Sequence, residues 1–243
     1  FMARYRKEAT GNLDEVAIND IVEAVKYFSD LEKRKETILK TIEGLGKLTD
    51  ELKSRIDSCL DATILEDIYL PYKPKRKTRA TQAIEKGLEP LAKLLFEQSS
   101  FDIQEAAAAY INDEVKDSKD ALQGARDIMA EWIAENEQSR TSIRKLFQDT
   151  AVLTAKIINS KKDDPEAQKY RDYFEYTAPL RNCPSHRTLA IRRGEKEEFL
   201  LMDINVDKLA GADLLEKIFV QSNTPAAAEV RLAATDSFDR LLK

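Results

Sequence analysis

The stretch "LDEVAINDIVEAVKYFSDLEKRKETILKTIEGL", Leu13 to Leu45, decides the architecture. Its apolar residues fall at Ala17, Ile21, Ala24, Phe28, Leu31, Ile38, Ile42 and Leu45, a three-four spacing interrupted by Lys35. Such a heptad-like stripe predicts an amphipathic helix. At 1.5 Å per residue a helix of roughly 32 residues would be about 48 Å long, more than a small globule spans. The stripe is therefore expected to pack antiparallel against a partner helix. Asn12 suits the N-cap, and Gly44 with Gly46 suits the stop. Thr49 then caps a second helix through Leu52, Ile56 and Leu60, and Ile64, Leu65 and Ile68 carry the apolar spacing on toward Pro71.

Working outward, "YLPYKPKRKTRA", Tyr69 to Ala80, interrupts the helices. Pro71 and Pro74 remove backbone donors and bias the preceding residues away from helix, so Leu70 to Lys77 reads as extended or turned, with helix resuming near Thr78. A helix from Arg79 to Lys86 ends at Gly87, and Pro90 opens another. Asp102 caps the alanine-rich "QEAAAAYI". Ser118 caps a helix bearing Leu122, Met129 and Ile133, and a further helix with Ile143, Leu146 and Phe147 follows Asn136, a pair that resembles a helix-turn-helix. "AVLTAKII" (151–158) and "FLLMDINV" (199–206) read as strands that pair with each other. Between them lie a helix through Tyr170, Tyr173 and Phe174 and a short one opened by Ser185 and closed by Gly194. Two helices end the chain, the second started by Thr224 and Pro225. The expected fold is mainly α and multi-helical, with a long helical hairpin, a helix-turn-helix-like unit and at most a two-stranded sheet. Its expected divisions are 1–110, 111–180 and 181–243.

Composition agrees with helices. Of 243 residues 34% are charged, above the usual quarter, while Gly and Pro number only seven each. The two cysteines, Cys59 and Cys183, are too few for a disulfide framework or a four-thiolate zinc site and fit a reducing, cytoplasmic compartment. There is no apolar run of the ~18 residues that a membrane-spanning helix needs. The chain opens on Phe1-Met2 within structured-looking sequence and reads as part of something longer.

Catalytic signals are thin. His186 is the sole histidine, and there is no G-x-S-x-G elbow, no phosphate-binding G-x-x-x-x-G-K-[ST] and no dinucleotide turn. No carboxylate spacing singles out a metal site. No enzyme, metal or cofactor is expected, and His186 reads as a first-turn helix residue that packs or hydrogen-bonds locally. The cationic clusters say more. Lys73, Lys75, Arg76, Lys77 and Arg79 follow one another along a proline-braced segment beside Tyr69 and Tyr72, so they either solvate a linker or contact phosphates with a tyrosine as stacking face. A secondary basic set comprises Arg4, Arg6 and Lys7 at the start and Arg187, Arg192 and Arg193 in the helix after Ser185. The last two also satisfy a helix C-terminus. Arg140, Arg144 and Lys145 are too sparse a tip for reading DNA bases.

"FMARYRKEATGNLDEV", "LEDIYLPYKPKRKTRATQAIEKGLEPLA", "GARDIMAEWIAE", "RDYFEY" and "PSHRTLAIRRGEKE" together resemble the amino-terminal half of the Tex family of bacterial transcription accessory proteins, relatives of the eukaryotic Spt-class elongation factor. The resemblance spreads over nearly the whole chain. It implies a cytoplasmic, largely helical protein associated with RNA or DNA and with the transcription machinery. Family members continue into RNase H-like, helix-hairpin-helix and OB-fold RNA-binding domains, none of which lies here, so the RNA or DNA affinity of this region alone is expected to be weak. Two positions depart from the pattern. Asn12 stands where a second glycine is expected, and Glu198 where the family often has glycine.

Overall fold

A computed structural model describes residues 7–74 and 77–242. The chain divides into two compact units, 1–75 and 76–243. That division falls inside the basic segment, whereas the boundaries expected at 110 and 180 both lie within the second unit.

The first unit is built on α1 (Glu15–Gly44), with α2 (Asp50–Ser58) and α3 (Ala62–Tyr69) beside it. Asp14, rather than Asn12, caps α1 by accepting from the Ala17 N–H at 2.8 Å. Asn12 instead joins Gly11 in a left-handed turn, at φ 66° and 63°. The helix stops where glycine predicts. Gly46, at φ 66°, donates to the Glu43 carbonyl and Lys47 to that of Ile42, the paired bonds of a Schellman end. Thr49 caps α2 as expected, but Asp61 caps a separate α3, breaking the anticipated second helix at Cys59–Leu60.

The apolar stripe of α1 behaves differently along its length. Leu31, Ile38 and Ile42 are buried against Leu52, Ile56, Leu65 and Ile68. Lys35, the interruption in the stripe, is also buried, and its ammonium donates to Glu32 Oε1 at 2.7 Å and to the Asp57 carbonyl at 2.8 Å. It thereby closes the C-terminal end of α2, where carbonyls lack partners. Toward the N-terminus the packing stops. Val16, Ile21, Val22, Val25 and Phe28 are exposed, so the expected partner covers only the second half of the stripe.

The second unit collects α4 (Arg79–Glu85), α5 (Glu89–Phe96), α6 (Ile103–Ala108), α7 (Ser118–Glu135), α8 (Glu137–Thr150), α9 (Ser185–Lys196), α10 (Lys208–Phe219) and α11 (Pro225–Asp236), followed by a π-helical stretch, Ser237–Leu242. Buried α7 is its hub: Ala121, Ala125, Ile128, Met129 and Ile133 pack with Leu88, Leu91, Leu95, Val230 and Phe238. Asp117, one residue before the expected Ser118, caps α7. Helices α7 and α8 meet at Asn136 alone, which ends one and caps the other, a tighter corner than the three- to four-residue turn of a DNA-reading pair.

Strands β1 (Val152–Ile157), β2 (Glu175–Pro179) and β3 (Leu200–Asn205) form an antiparallel sheet in the order β2-β1-β3. The expected pairing of the two long strands is present, with Thr154 opposite Asp203. A third strand, unexpected from sequence, pairs Thr177 with Thr154. The anticipated helix before it is a 3-10 run, Pro165–Tyr173, and β2 follows at once. Leu153 and Ala155 on one face of β1 are buried with Ile191 of α9. Gly194 does not end α9 but lies buried within it. A Cβ there would come 2.7 Å from Leu200 Cδ1, so glycine permits close packing on the sheet.

The end of α9 is set by Glu198, at φ 59°. Its N–H donates to the Glu195 carbonyl and that of Phe199 to Gly194, the same Schellman pattern as at Gly46. A non-glycine residue in the left-handed region costs about 1–2 kcal/mol. Glu198→Gly is therefore expected to raise stability by about 1 kcal/mol, read as a higher urea midpoint at unchanged slope.

Candidate nucleic-acid interface

Of the primary basic residues, Lys73, Lys77 and Arg79 are described; Lys75 and Arg76 lie outside the described residues. In the first unit, α3 runs into a 3-10 turn, Leu70–Tyr72, which Pro71 favours, and Lys73 leaves it in extended conformation. Lys73 is exposed. Close by, Arg34 grips Glu66 with two hydrogen bonds, at 2.5 and 3.0 Å, and stacks over Tyr69 at 5.3 Å. Those bonds, with help from the Lys73 charge, hold the Glu66 carboxyl below its ordinary range. Tyr69 is buried and Tyr72 half-buried, so Tyr69 packs rather than offering a stacking face.

In the second unit, Thr78 caps α4 in a reciprocal box with Thr81, which fixes where the helix starts. Arg79 is the first residue of that helix and is exposed. It lies in the field of Asp127, whose carboxyl is pushed up by burial and pulled back by Arg240 and Arg79. Lys77 is exposed, with Glu85 at 3.9 Å as a loose partner between side chains that are both two-thirds exposed. Pairs of that kind contribute little and are readily exchanged for another anion.

The secondary set is split. Arg4 and Arg6 lie outside the described residues, and Lys7 opens a 3-10 turn, Lys7–Thr10. Arg187, Arg192 and Arg193 are exposed on α9, as is His186, which therefore does not pack, one of the two local roles expected of it. Arg187 lies 6.0 Å from the Tyr176 ring centre. Arg192 pairs with Glu195 at 2.6 Å. An open groove of about 780 Å³ runs along this helix, lined by Leu189, Arg192, Arg193, Glu195, Lys196 and Glu197. Lys196 is the member that sequence reasoning missed. Ending the helix at Gly194 hid it, although it stands one turn beyond Arg192 and Arg193. Helix α4 rests on α7, whereas α9 rests on β3 and the 3-10 run, so the two basic groups are carried by different layers.

Among the described residues no cluster of His, Cys, Asp and Glu has the makings of a metal site, and no helix is long and apolar enough to cross a membrane.

Comparison with known proteins now decides the family. Residues 98–236 match the model described as "Tex central region-like", and residues 1–43 match "Tex-like protein N-terminal domain". The chain belongs to the Tex family. It is 43% identical over 200 residues to "Transcriptional accessory protein Tex" of Neisseria gonorrhoeae, which takes in 82% of this chain and 26% of that protein. It is 44% identical over 209 residues to "Protein YhgF" of Escherichia coli K12, covering 85% of this chain and 27% of the relative. More distantly, it is 28% identical over 214 residues to human "S1 RNA-binding domain-containing protein 1", covering 85% of this chain and 21% of the relative. The chain thus spans about a quarter of the length of the relatives it matches. The two departures from the Tex pattern, Asn12 and Glu198, both occupy left-handed backbone, where glycine carries no steric cost.

Proposed function

We propose that this chain is the helical framework of a cytoplasmic Tex-family transcription accessory protein, a binding and scaffolding region rather than an enzyme. In this reading it positions RNA- or DNA-binding modules in the rest of the polypeptide and adds a contact of its own through Lys73, Lys75, Arg76, Lys77 and Arg79. The observation that supports the contact is the exposure of Lys73 in the first unit and of Lys77 and Arg79 in the second, each without a tight carboxylate partner. The name of the gonococcal relative and the RNA-binding domain in the name of the human one support the setting.

The test is binding of single-stranded RNA and duplex DNA by this chain as salt is raised from 50 to 200 mM. Five phosphate contacts to a single strand give a salt slope of about -3.5 and roughly a hundredfold loss of affinity across that range. Changing all five residues to Glu should flatten the slope. Binding that ignores salt, or that survives the reversal, overturns the contact. A second reading, a protein-interaction module docking on the transcription machinery, is favoured by one observation: the uncovered apolar half of α1.

A further inference from the structure

The first half of α1 is the feature that nucleic-acid binding leaves unexplained. Along α1, Ile21, Val25 and Phe28 lie on the stripe that continues into the buried Leu31 and Ile38, and they are 50%, 65% and 44% exposed. With Val22, 59% exposed, they form an apolar arc covering about a third of the helix circumference at 100° per residue. Only Tyr27 at its border is tied down, donating to the Leu60 carbonyl at 3.2 Å and accepting from the Ala62 N–H at 3.0 Å. Isolated helical stretches of this length are marginal in water and owe their order to a packed apolar face. Contiguous exposed apolar surface of this kind marks an interaction site.

Charge selects the occupant. From Asp14 to Asp30 the helix carries five acidic residues and one base, Lys26. Asp20 borders one side of the arc and Glu15 the other. A second copy would bring like charges together along the seam, and an anionic lipid surface would be repelled as well. An amphipathic helix with basic flanks meets both requirements. We infer that the N-terminal half of α1 is the docking face for a basic amphipathic helix, supplied by the further polypeptide of the relatives, whose whole length is about three times that of this chain. A helix tethered in the same polypeptide reaches millimolar effective concentration, so even a micromolar contact is kept closed.

The inference is independent of RNA binding and has its own test. Val25→Cys is introduced into residues 1–243 and into the full-length polypeptide, and maleimide labelling at that position is followed by peptide mass. The expected result is labelling slowed about tenfold or more in the full-length polypeptide, because the tethered helix covers the site. Asp20→Lys with Glu15→Lys should restore fast labelling there. Equal rates in both proteins overturn the inference. So does protection indifferent to the charge reversal. Light scattering that shows residues 1–243 dimerising, with Val25→Lys dissociating the dimer, would assign the face to a second copy instead.

Discussion

Gln98→Ala should destabilise the second unit by about 2–4 kcal/mol, although it removes a polar side chain from a loop, because the groups it would abandon are backbone groups in a buried place. Gln98 is 6% exposed. Its Nε2 donates to the Phe219 carbonyl at 2.7 Å, and its Oε1 accepts from the Gln221 N–H at 2.8 Å. Its own carbonyl accepts from Thr224 Oγ1 at 3.0 Å and Ser222 Oγ at 3.2 Å. One residue thus staples the end of α5 to the link between α10 and α11, next to the contact of Phe96 with Trp132. Gln98 also lies in left-handed backbone, at φ 57°. Gln98→Gly should therefore cost about 1 kcal/mol less than Gln98→Ala, since it loses the same side-chain bonds but relieves the strain. Urea unfolding of the three proteins separates the two contributions, and a loss below about 0.5 kcal/mol for Gln98→Ala would mean that the staple carries no weight.

Gln98 also shows why part of the fold was legible and part was not. Gly46 and Gly87 end their helices at φ 66° and 83°, and glycine announced both ends in the sequence. Glu198 and Gln98 occupy left-handed backbone after α9 and α5; the sequence ends the second of these helices at Gln98, but no propensity argument places left-handed backbone on glutamate or glutamine. The caps Thr49, Asp102 and Thr224 were readable because a short oxygen-bearing side chain at a helix start has a physical reason to be there. Strand β2 was not, because "EYTAP" is five residues ending in proline and follows an aromatic run that packs against the sheet. As for the candidate interface, exposure of Lys73 and Lys77 accords with the break that Pro71 and Pro74 put between the helices, whereas Arg79 is exposed as the first residue of α4. What sequence spacing could not convey is that the first half of the α1 stripe finds no cover among the described residues, since apolar periodicity reads the same with or without a partner.

Gly211→Ala should cost about 2–3 kcal/mol, contrary to helix propensity, which favours alanine at an interior helical position by about 1 kcal/mol. Gly211 is buried within α10, where an added Cβ would run into the ring of Phe238. That ring is 1% exposed in the π-helical stretch after α11 and packs in the core around α7, so it has nowhere to retreat. The ring and the missing Cβ are two sides of one contact, and they should therefore be non-additive. Phe238→Leu alone loses buried contacts and leaves a void, at about 1–2 kcal/mol. With Gly211→Ala in the same chain, the new methyl enters space the ring has vacated, and the double variant should be more stable than the sum of the singles by about 1 kcal/mol or more. Denaturant midpoints for the four proteins close the cycle. Additive losses would show that the ring does not oppose the methyl and that Gly211 is set by some other neighbour.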